Sequence, residues 1–413
     1  MKKFLNLIWF SILFCMIFCT FACANTESDF DDVTNESATS LTDSEGNTIY
    51  SGSASVSFTY NNQTTTKTIS AAYLINGVTV NITSGTYEAA SDSSDKVVFL
   101  VINGGTLNIT GEDGANVSIT KSGSAAQGGQ VSDDYNFYGI NSGIVVSGSY
   151  SKANIKYANI STSSNGSNAI VATNGGTVSI KNSTITTSGS AGSRGLHTTY
   201  GGSITADTVT ITTQGASCAS LANDRGGGTI TASNMTLTTN SNGSPLVYST
   251  DSITVKNSTG NANKAQAVVV EGGSSATLEA CTFTCSGDGN RTGTSDSNSS
   301  SHTVDAAGVF IYQSVSGDSE DGIDYFTCSN STIKVTTSGV PMIYLTNITA
   351  VLNLTGNTFS ESSDYFLMAE ATNQWGTTGQ NGATVTVNAD FEKSTVKTHT
   401  GSTSSIAWNV LSN

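Results

Sequence analysis

The amino-acid sequence predicts an all-β fold in which short strands wind into a parallel β-helix solenoid. The chain of 413 residues contains 42 Gly but only 2 Pro, and its abundant Thr, Val, Ile and Ser favour pleated strands over helices. A Gly-Gly pair followed by an alternating strand recurs along the chain, and a period of about 20 to 50 residues indicates stacked repeats. The scarcity of Pro fits strands that donate backbone hydrogen bonds to a neighbour on each side.

The composition also excludes several classes of protein. Ser, Thr, Asn and Gly make up about half of the chain, a bias that also occurs in disordered proteins. However, 37% of the residues are apolar and they alternate regularly with polar ones, so the chain can bury a core. Only 11% of the residues are charged and the net charge is -15, which argues against nucleic acid and anionic membrane surfaces as partners.

The repeat is clearest in the middle of the chain. The second Gly of three successive pairs, Gly176, Gly202 and Gly228, recurs every 26 residues. In each repeat, apolar residues at alternate positions lead to an Asn, which tolerates the left-handed backbone of a bend. We therefore predict three short strands and three bends per coil, with these Asn side chains bonded from coil to coil. The segments with this pattern are Ile155 to Asn159, Val178 to Asn182, Ile230 to Asn234, Ile253 to Asn257 and Phe326 to Asn330.

The first 47 residues differ from the rest of the chain. Residues 1–22 combine a basic start with an apolar run and are predicted to be a secretory signal peptide. The residues that end at Cys23 resemble a bacterial lipoprotein box, so we expect lipidation of Cys23; soluble export after cleavage before Asn25 and an uncleaved anchor are the alternatives. Residues 23–47 are acidic and lack Lys and Arg, which predicts a disordered linker. We expect an exported protein of the bacterial cell envelope or outer surface, with membrane contact only through the lipid.

The remaining residues, 48–413, are predicted to form a single β-helix domain. Residues 76–382 carry the coils. Residues 48–75 and 383–413 lack the Gly-Gly register, and we predict that they form the N-terminal and C-terminal caps. Caps are needed because the two ends of a solenoid would otherwise expose unpaired strand edges.

Three segments carry a resemblance to a known family. They are Ser193-Arg194-Gly195-Leu196-His197, Asn223-Asp224-Arg225-Gly226-Gly227-Gly228 and Ser244-Pro245-Leu246-Val247-Tyr248-Ser249. Together with the coil pattern, they resemble the right-handed parallel β-helix of the pectin-lyase-like superfamily. They are similar to secreted bacterial β-helix proteins that are labelled carbohydrate-binding or adhesin-like. The resemblance covers about residues 75 to 360 and implies a polysaccharide or cell-surface glycan as the partner.

Charged and aromatic residues that are rare elsewhere lie in and near these segments, and they are the candidate ligand-binding residues. A sugar-binding groove needs aromatic rings beside planar polar groups, because sugars stack their C–H faces and share their hydroxyls. Glu271 aligns with Asp224 two coils further along, so we predict that the candidate residues lie on one face of the solenoid. The candidates are Arg194, His197, Tyr200, Asp224, Arg225, Tyr248 and Glu271.

The resemblance also implies an enzymatic alternative, a polysaccharide lyase or hydrolase. Pectate-lyase relatives use an Arg or Lys base beside acidic residues that hold calcium, and Arg225 beside Asp224 is the best such pair. Calcium needs about six to eight oxygen ligands, whereas Asp224 and Glu271 would lie about 10 Å apart. We therefore assign no catalytic residue and predict a non-enzymatic glycan-binding protein or adhesin. No metal or cofactor is expected, and calcium at the acidic loop 318–324 is the alternative.

Other features leave further alternatives open. Thr-x-Thr pairs would stack into two rows that resemble ice-binding surfaces, although residues 258–261 break the rows; a thermal-hysteresis assay tests this alternative. Cys281 and Cys328 are predicted to be small buried hydrophobes, or else a disulfide if their coils align. Residues 121–134 and 286–305 are polar stretches that interrupt the repeat, and we predict that they bulge from bends.

Overall fold

A computed structural model describes residues 34–42, 46–91, 95–114, 116–125, 132–295, 298–316, 321–361, 363, 365–375, 383–390, 395–398 and 408–411. The predicted signal peptide, Cys23 and the first part of the predicted linker lie outside the described residues. Within the described part of the chain, no helix has the length and apolar character needed to cross a membrane.

Short strands dominate the structure, and a single short helix, α1 (Asp133–Asn136), lies among the described residues. The strands in chain order are β1 (Thr34–Thr42), β2 (Thr48–Tyr60), β3 (Gln63–Asn76), β4 (Thr79–Ile82), β5 (Gly85–Ser91), β6 (Val97–Ile102), β7 (Thr106–Thr110), β8 (Val117–Gly123), β9 (Ile144–Ser147), β10 (Lys152–Lys156), β11 (Ala158–Thr162), β12 (Ile170–Thr173), β13 (Thr177–Thr187), β14 (Leu196–Thr198), β15 (Gly202–Thr213), β16 (Leu221–Asn223), β17 (Gly228–Ser233), β18 (Thr236–Thr239), β19 (Val247–Ser249), β20 (Ser252–Lys256), β21 (Thr259–Ala262), β22 (Val268–Glu271), β23 (Ser275–Glu279), β24 (Thr282–Cys285), β25 (Thr292–Ser295), β26 (Asn298–Thr303), β27 (Val309–Tyr312), β28 (Ile323–Ser329), β29 (Thr332–Val335), β30 (Ile343–Thr346), β31 (Thr349–Thr355), β32 (Thr358–Glu361), β33 (Leu367–Glu370), β34 (Thr384–Asp390), β35 (Thr395–Thr398) and β36 (Trp408–Leu411).

These strands stack into two large sheets. Sheet A has 14 strands in the order β1-β2-β3-β6-β9-β12-β14-β16-β19-β22-β27-β30-β33-β36, and sheet B has 20 strands. Each coil contributes one strand to sheet A and then two short strands, or in β13 and β15 one long strand, to sheet B. Equivalent strands of successive coils pair in parallel and in register. Val178, for example, is opposite Ile204, which is opposite Ile230. This arrangement confirms the predicted parallel β-helix.

The core lies inside the coils, where alternate side chains of all three strands meet. The inward residues are almost entirely apolar and form one continuous cluster along the solenoid. Val178, Ile180 and Ile230 are typical members, with at most 3% of each residue exposed. Burying one such side chain stabilises the fold by about 1.5 to 3 kcal/mol.

The bends between the two strands of sheet B follow the predicted Asn pattern in four of the five segments. Asn182, Asn234, Asn257 and Asn330 all have left-handed φ angles between 47° and 55°. The prediction for Asn159 is wrong. Because Ile155 is opposite Ile180, the bend of that coil falls two residues after Ile155, and Asn159 lies within strand β11.

Side-chain amides do bond from coil to coil, but mainly along strands. Asn154 donates to Asn108 at 2.9 Å, and Asn108 donates to Asn81 at 2.8 Å. At a bend, Asn234 donates to Asp207 at 2.6 Å. Coil-to-coil amide bonds therefore exist, but among the described residues, and in contrast to our prediction, they do not join one bend Asn to the next.

The segment predicted as an N-terminal cap forms an antiparallel hairpin of β2 and β3. Its apolar face packs against outward residues of sheet A, with Phe58 in one cluster with Val145 and Val171. The amide of Asn174 donates to the carbonyl oxygen of Ser57 at 3.1 Å. The hairpin thus covers the side of the first coils and shields the apolar residues on their outer face from water.

Two segments near the ends contain strands where we predicted other structure. Strand β1 lies within the predicted linker 23–47 and pairs antiparallel with β2, because the edge of β2 offers unpaired backbone groups to a Thr- and Ser-rich neighbour. The predicted C-terminal cap, residues 383–413, supplies β34, β35 and β36. These strands extend both ladders of sheet B and also sheet A, so this segment continues the coil pattern without a Gly-Gly pair.

The outward Thr rows are more regular than predicted in one column and less regular in the other. The first row is continuous in register through Thr184, Thr210, Thr236, Thr259, Thr282, Thr332 and Thr358. The break that we predicted at residues 258–261 therefore spares this row. The second row is interrupted by Asn261 and Lys334, and ice binding stays an untested alternative.

The four cysteines of the folded body, Cys218, Cys281, Cys285 and Cys328, are buried free thiols. Cys328 is opposite Leu278 in the ladder, so the coils do not align it with Cys281. Burial raises the pKa of Cys328 to about 12. These thiols act as small buried hydrophobes, the first of the two expectations.

The Gly-Gly pairs have two different physical roles, and a pair of variants separates them. A β-carbon at Gly202 would lie 2.1 Å from the carbonyl oxygen of Ala172, whereas Gly201 has open space but a φ of +74°. We expect Gly202→Ala to lower the free energy of unfolding by about 3 kcal/mol through overpacking. Gly201→Ala should cost about 1 kcal/mol, through its left-handed backbone alone. Urea denaturation followed by circular dichroism measures both, and equal losses would contradict this assignment.

Candidate functional site

The candidate site is a groove on the outer face of sheet A, which we call the sheet A groove. Two insertions lie beside this face. The first insertion lies between β8 and β9, and the second insertion lies between β24 and β27. Each of them takes the place of the bend that connects sheet B to sheet A in the other coils. Between the two insertions is a cavity of about 300 Å³. The lining residues with polar or aromatic side chains that matter below are Asn136, Arg194, Tyr248, Arg291, Tyr312 and Trp375.

One end of the groove is formed by helix α1 and the residues that follow it. Arg194 donates from Nη1 to Asn136 Oδ1 at 2.8 Å. The guanidinium of Arg225 lies 3.8 Å from the centre of the Phe137 ring, a cation–π contact. Thr199 donates its hydroxyl to the Phe137 carbonyl oxygen at 2.9 Å. These contacts fix the insertion against the sheet as a wall.

A buried charge pair lies at the base of this wall. Arg194 Nη2 is 3.0 Å from Asp224 Oδ2, and both side chains are more than nine-tenths buried. The sequence singles out Arg225 as the basic neighbour of Asp224, whereas the structure pairs the Asp224 carboxylate with Arg194. Arg194 lies two residues before β14, and its long side chain reaches across one coil to Asp224. The Arg225 guanidinium packs on the Phe137 ring instead.

His197 is completely buried next to this pair. Burial, and then the neighbouring Arg194 charge, hold the pKa of His197 well below its usual range, so the ring is neutral at neutral pH. Its Nε2 lies 3.9 Å from Asp224 Oδ2, and neither ring nitrogen has a hydrogen-bond partner among the described residues. His197 therefore packs under the wall and does not face the groove.

Tyr200 belongs to an aromatic cluster with the N-terminal hairpin. Its ring centre lies 5.1 Å from that of Phe58 and 6.0 Å from that of Tyr138. Burial raises its pKa. Like Arg225, it contacts the wall and does not line the cavity.

The floor of the groove contains two tyrosines that share one buried carboxylate. The Tyr312 hydroxyl donates to Glu271 Oε2 at 2.6 Å, and the Tyr248 hydroxyl donates to the same atom. Glu271 is 3% exposed and is directly opposite Tyr312 in the ladder. Burial, followed by the Glu271 charge, raises the pKa of both phenols well above the usual value. Glu271 thus fixes the orientation of both rings.

The other end of the groove carries an aromatic stack that the sequence analysis missed. Phe310 and Tyr312 are stacked with ring centres 4.5 Å apart, and Trp375 lies 4.9 Å from Tyr312 and 5.6 Å from Phe310. Tyr312 and Trp375 are both partly exposed. The outward alternation of Phe310 and Tyr312 was visible in the sequence, but the return of Trp375 from a later coil was not.

A cationic side chain that was also missed stands at the same end. Arg291 is exposed and lines the cavity. Its backbone N–H donates to Asp305 Oδ1 at 2.9 Å, and that of Asn290 donates to Asp305 Oδ2 at 3.1 Å. Asp305 therefore joins the two ends of the second insertion to each other, and burial raises its pKa.

The second insertion is held by a buried acid as well. Its strands β25 and β26 pair as a hairpin, and His302 Nε2 lies 2.7 Å from Glu370 Oε1. His302 Nδ1 lies 3.1 Å from the Ser300 carbonyl oxygen, and Glu370 also accepts the hydroxyl of Tyr344. Since both ring nitrogens of His302 face acceptors, the doubly protonated ring satisfies the geometry best.

The structure thus divides the seven predicted residues into three groups. Arg194 and Tyr248 line the groove, and Glu271 lies directly beneath it. His197 and Asp224 are buried at the base of the first wall. Tyr200 and Arg225 hold that wall from outside the cavity. The residues of the last two groups hold the first wall in position and do not line the cavity.

No three His, Cys, Asp or Glu side chains in the described part of the chain are grouped so that they could hold a metal ion. Three residues of the acidic loop, 318–320, lie outside that part. The expectation of no cofactor, with calcium as the alternative, therefore stays a prediction.

The comparisons with known proteins agree with this architecture. The profile of a family described as right-handed beta helix region matches residues 142–305. The matched segment runs from β9 to the end of the second insertion and includes Arg194, Tyr248 and Arg291. No curated protein and no solved structure matches the chain.

The stacked ladders and this match define the class of the protein. It is a right-handed parallel β-helix solenoid.

The contact between His302 and Glu370 predicts a pH-dependent stability of the second insertion. Burial is the largest single effect and would lower the pKa of His302, but the hydrogen bonds to Glu370 and Ser300 and the Glu370 charge together outweigh it and raise the pKa above its usual value. Because the folded protein then binds the His302 proton more tightly than the unfolded chain does, the contact stabilises the fold fully below about pH 6.5, and this contribution is lost as the pH rises through the folded-state pKa. We therefore expect the melting temperature to fall as the pH rises above about 6.5.

His302→Asn is the matched variant for this measurement. The pKa of buried Asp324 is raised to about 8, so its carboxyl titrates in the same interval and in the same direction in both proteins. The difference between the two pH profiles therefore isolates His302. Identical slopes for the two proteins would show that His302 carries no charge in this contact.

Proposed function

We propose that the protein binds glycans through the sheet A groove and does not transform them. The observation that carries this proposal is the aromatic stack of Phe310, Tyr312 and Trp375 beside the exposed guanidinium of Arg291. Aromatic faces pack against the C–H faces of sugar rings, and planar polar groups bond their hydroxyls. A largely pre-formed cleft with few polar groups is the usual form of a small-ligand site.

The arrangement of the arginines supports binding over the lyase alternative. An Arg that acts as a general base must reach the substrate proton within hydrogen-bond distance. The Arg194 guanidinium bonds Asn136 and Asp224. That of Arg225 stacks on Phe137 and lies 3.5 Å from Asp133. Arg291 is exposed and lines the cavity, so its guanidinium is placed to donate hydrogen bonds to a bound sugar. Release of unsaturated product from a uronate polymer would reverse this preference.

A glycan array with matched variants tests the proposed function. We expect wild-type protein to bind a subset of glycans and Trp375→Ala to lose at least tenfold in affinity, because tenfold is about 1.4 kcal/mol and covering a large apolar side chain is worth about 1.5 to 3 kcal/mol. Tyr325→Ala is the control, since Tyr325 is an exposed aromatic residue on sheet B. Absence of binding to every glycan, or equal losses in both variants, would refute a glycan site at the groove.

We also propose that the protein is exported and attached to the cell envelope, where a glycan site would serve adhesion. The basic start and apolar run of residues 1–22 and the similarity of the Cys23 segment to a lipoprotein box support this placement. We expect Cys23→Ala to shift the protein from the membrane fraction to the soluble exported fraction. Mass spectrometry of the wild-type N-terminus provides the direct check, and an unmodified Cys23 would leave soluble export as the route.

A further inference from the structure

We propose that the sheet A groove recognises the end of a glycan chain or a short branch, and not the interior of a long polymer. This inference rests on the proposed glycan-binding function and specifies the ligand of the same groove. It follows from walls at both ends of the groove, from the distance between those walls and from the volume they enclose.

The first wall is rigidly attached. Asn136 and Phe137 are held from the sheet by Arg194, Thr199 and Arg225. The hairpin holds the same insertion from its other side, where Lys67 forms an ion pair with Asp134 at 2.6 Å. A ligand that runs along the solenoid axis therefore meets a fixed obstacle above strand β14.

The second wall is attached by independent contacts. Trp375 returns from beyond β33 and rests on Tyr312 and Phe310 of β27. The hairpin of the second insertion exchanges hydrogen bonds with the segment that carries this Trp: Thr294 N–H donates to the Asn373 side chain at 2.7 Å, and Asn373 N–H donates to the Thr294 carbonyl oxygen at 3.0 Å. The opposite end of the axis is therefore closed above β27.

The register gives the length of the floor between the walls. Strands β16, β19 and β22 separate β14 from β27 in sheet A. Four steps of about 4.8 Å place the two wall strands about 19 Å apart. The side chains of Arg194 and Tyr312 occupy part of this distance, so the free floor between the walls is shorter. The cavity of about 300 Å³ is at the small end of the range of ligand sites, so it accommodates roughly two or three sugar units.

Polar groups line the groove along its length as well as at its ends. Asn136 lies at the first wall and Arg291 at the second, while Ser217 and Gln266, which precede β16 and β22, line the groove between them. The floor also presents the Tyr248 ring and the apolar Val269. This arrangement suits a short ligand that offers a C–H face to the floor and hydroxyls along its edge and at its ends, which is the chemistry of a chain end or a short branch.

Binding as a function of chain length tests the inference. The probes are oligosaccharides of one to eight units of glucose, galactose, mannose, xylose and N-acetylglucosamine, together with their polymers, measured by isothermal titration calorimetry with the full chain. We expect the affinity to rise up to about three units and then to change by less than twofold. On polymers, the stoichiometry should be one protein per accessible chain end.

A groove-filling variant keeps the test specific to the site. Asn290→Trp places a bulky ring at an exposed lining position, and we expect at least a tenfold loss for the trisaccharide with an unchanged circular dichroism spectrum. Asn261→Trp is the control, because Asn261 is exposed on sheet B. Affinity that keeps rising beyond four units, or stoichiometry that scales with polymer length, overturns chain-end recognition while glycan binding stands. No binding by any probe refutes both proposals.

Discussion

In-register stacking of each coil on the next is the constraint on which the rest of the structure depends. Every strand shares backbone hydrogen bonds with the coils before and after it, so its residues and its bends must fall at the same place as theirs. A bend can change identity, as where Tyr157 takes the place of Asn182 in the neighbouring coil, but it cannot move. Extra residues are therefore accommodated only by loops that leave the stack at a bend and return to the same register.

That constraint also explains why a groove exists at all. Both long insertions leave from the bend that leads into sheet A, so they lie over the same face although they are far apart in the chain. Trp375 reaches this face from a third segment, and the continuous sheet below aligns all three. The groove is thus a product of the stacking order, with walls from the insertions and a floor from the strands between them.

Several of the buried charged residues of this weakly charged protein lie around the groove. Burying a charge is costly unless it is paired or hydrogen-bonded, and each of these has partners: Arg194 with Asp224, and Glu271 with two tyrosine hydroxyls. Such contacts fix walls and rings in one position. A pre-organised site loses less conformational entropy when it binds, which is the advantage that these residues supply.

The sequence by itself determined the solenoid, since strand alternation and the Gly-Gly column are local properties that repeat once per coil. It also indicated the face of the site, because Arg194, Tyr248 and Glu271 stand out in a chain that is poor in charged and aromatic residues. Only the tertiary structure decided which side chains line the groove. Pairing of Arg194 with Asp224 joins residues of neighbouring coils, and stacking of Trp375 on Tyr312 joins β27 to the segment that follows β33. Both contacts are set by packing between segments that no local pattern connects.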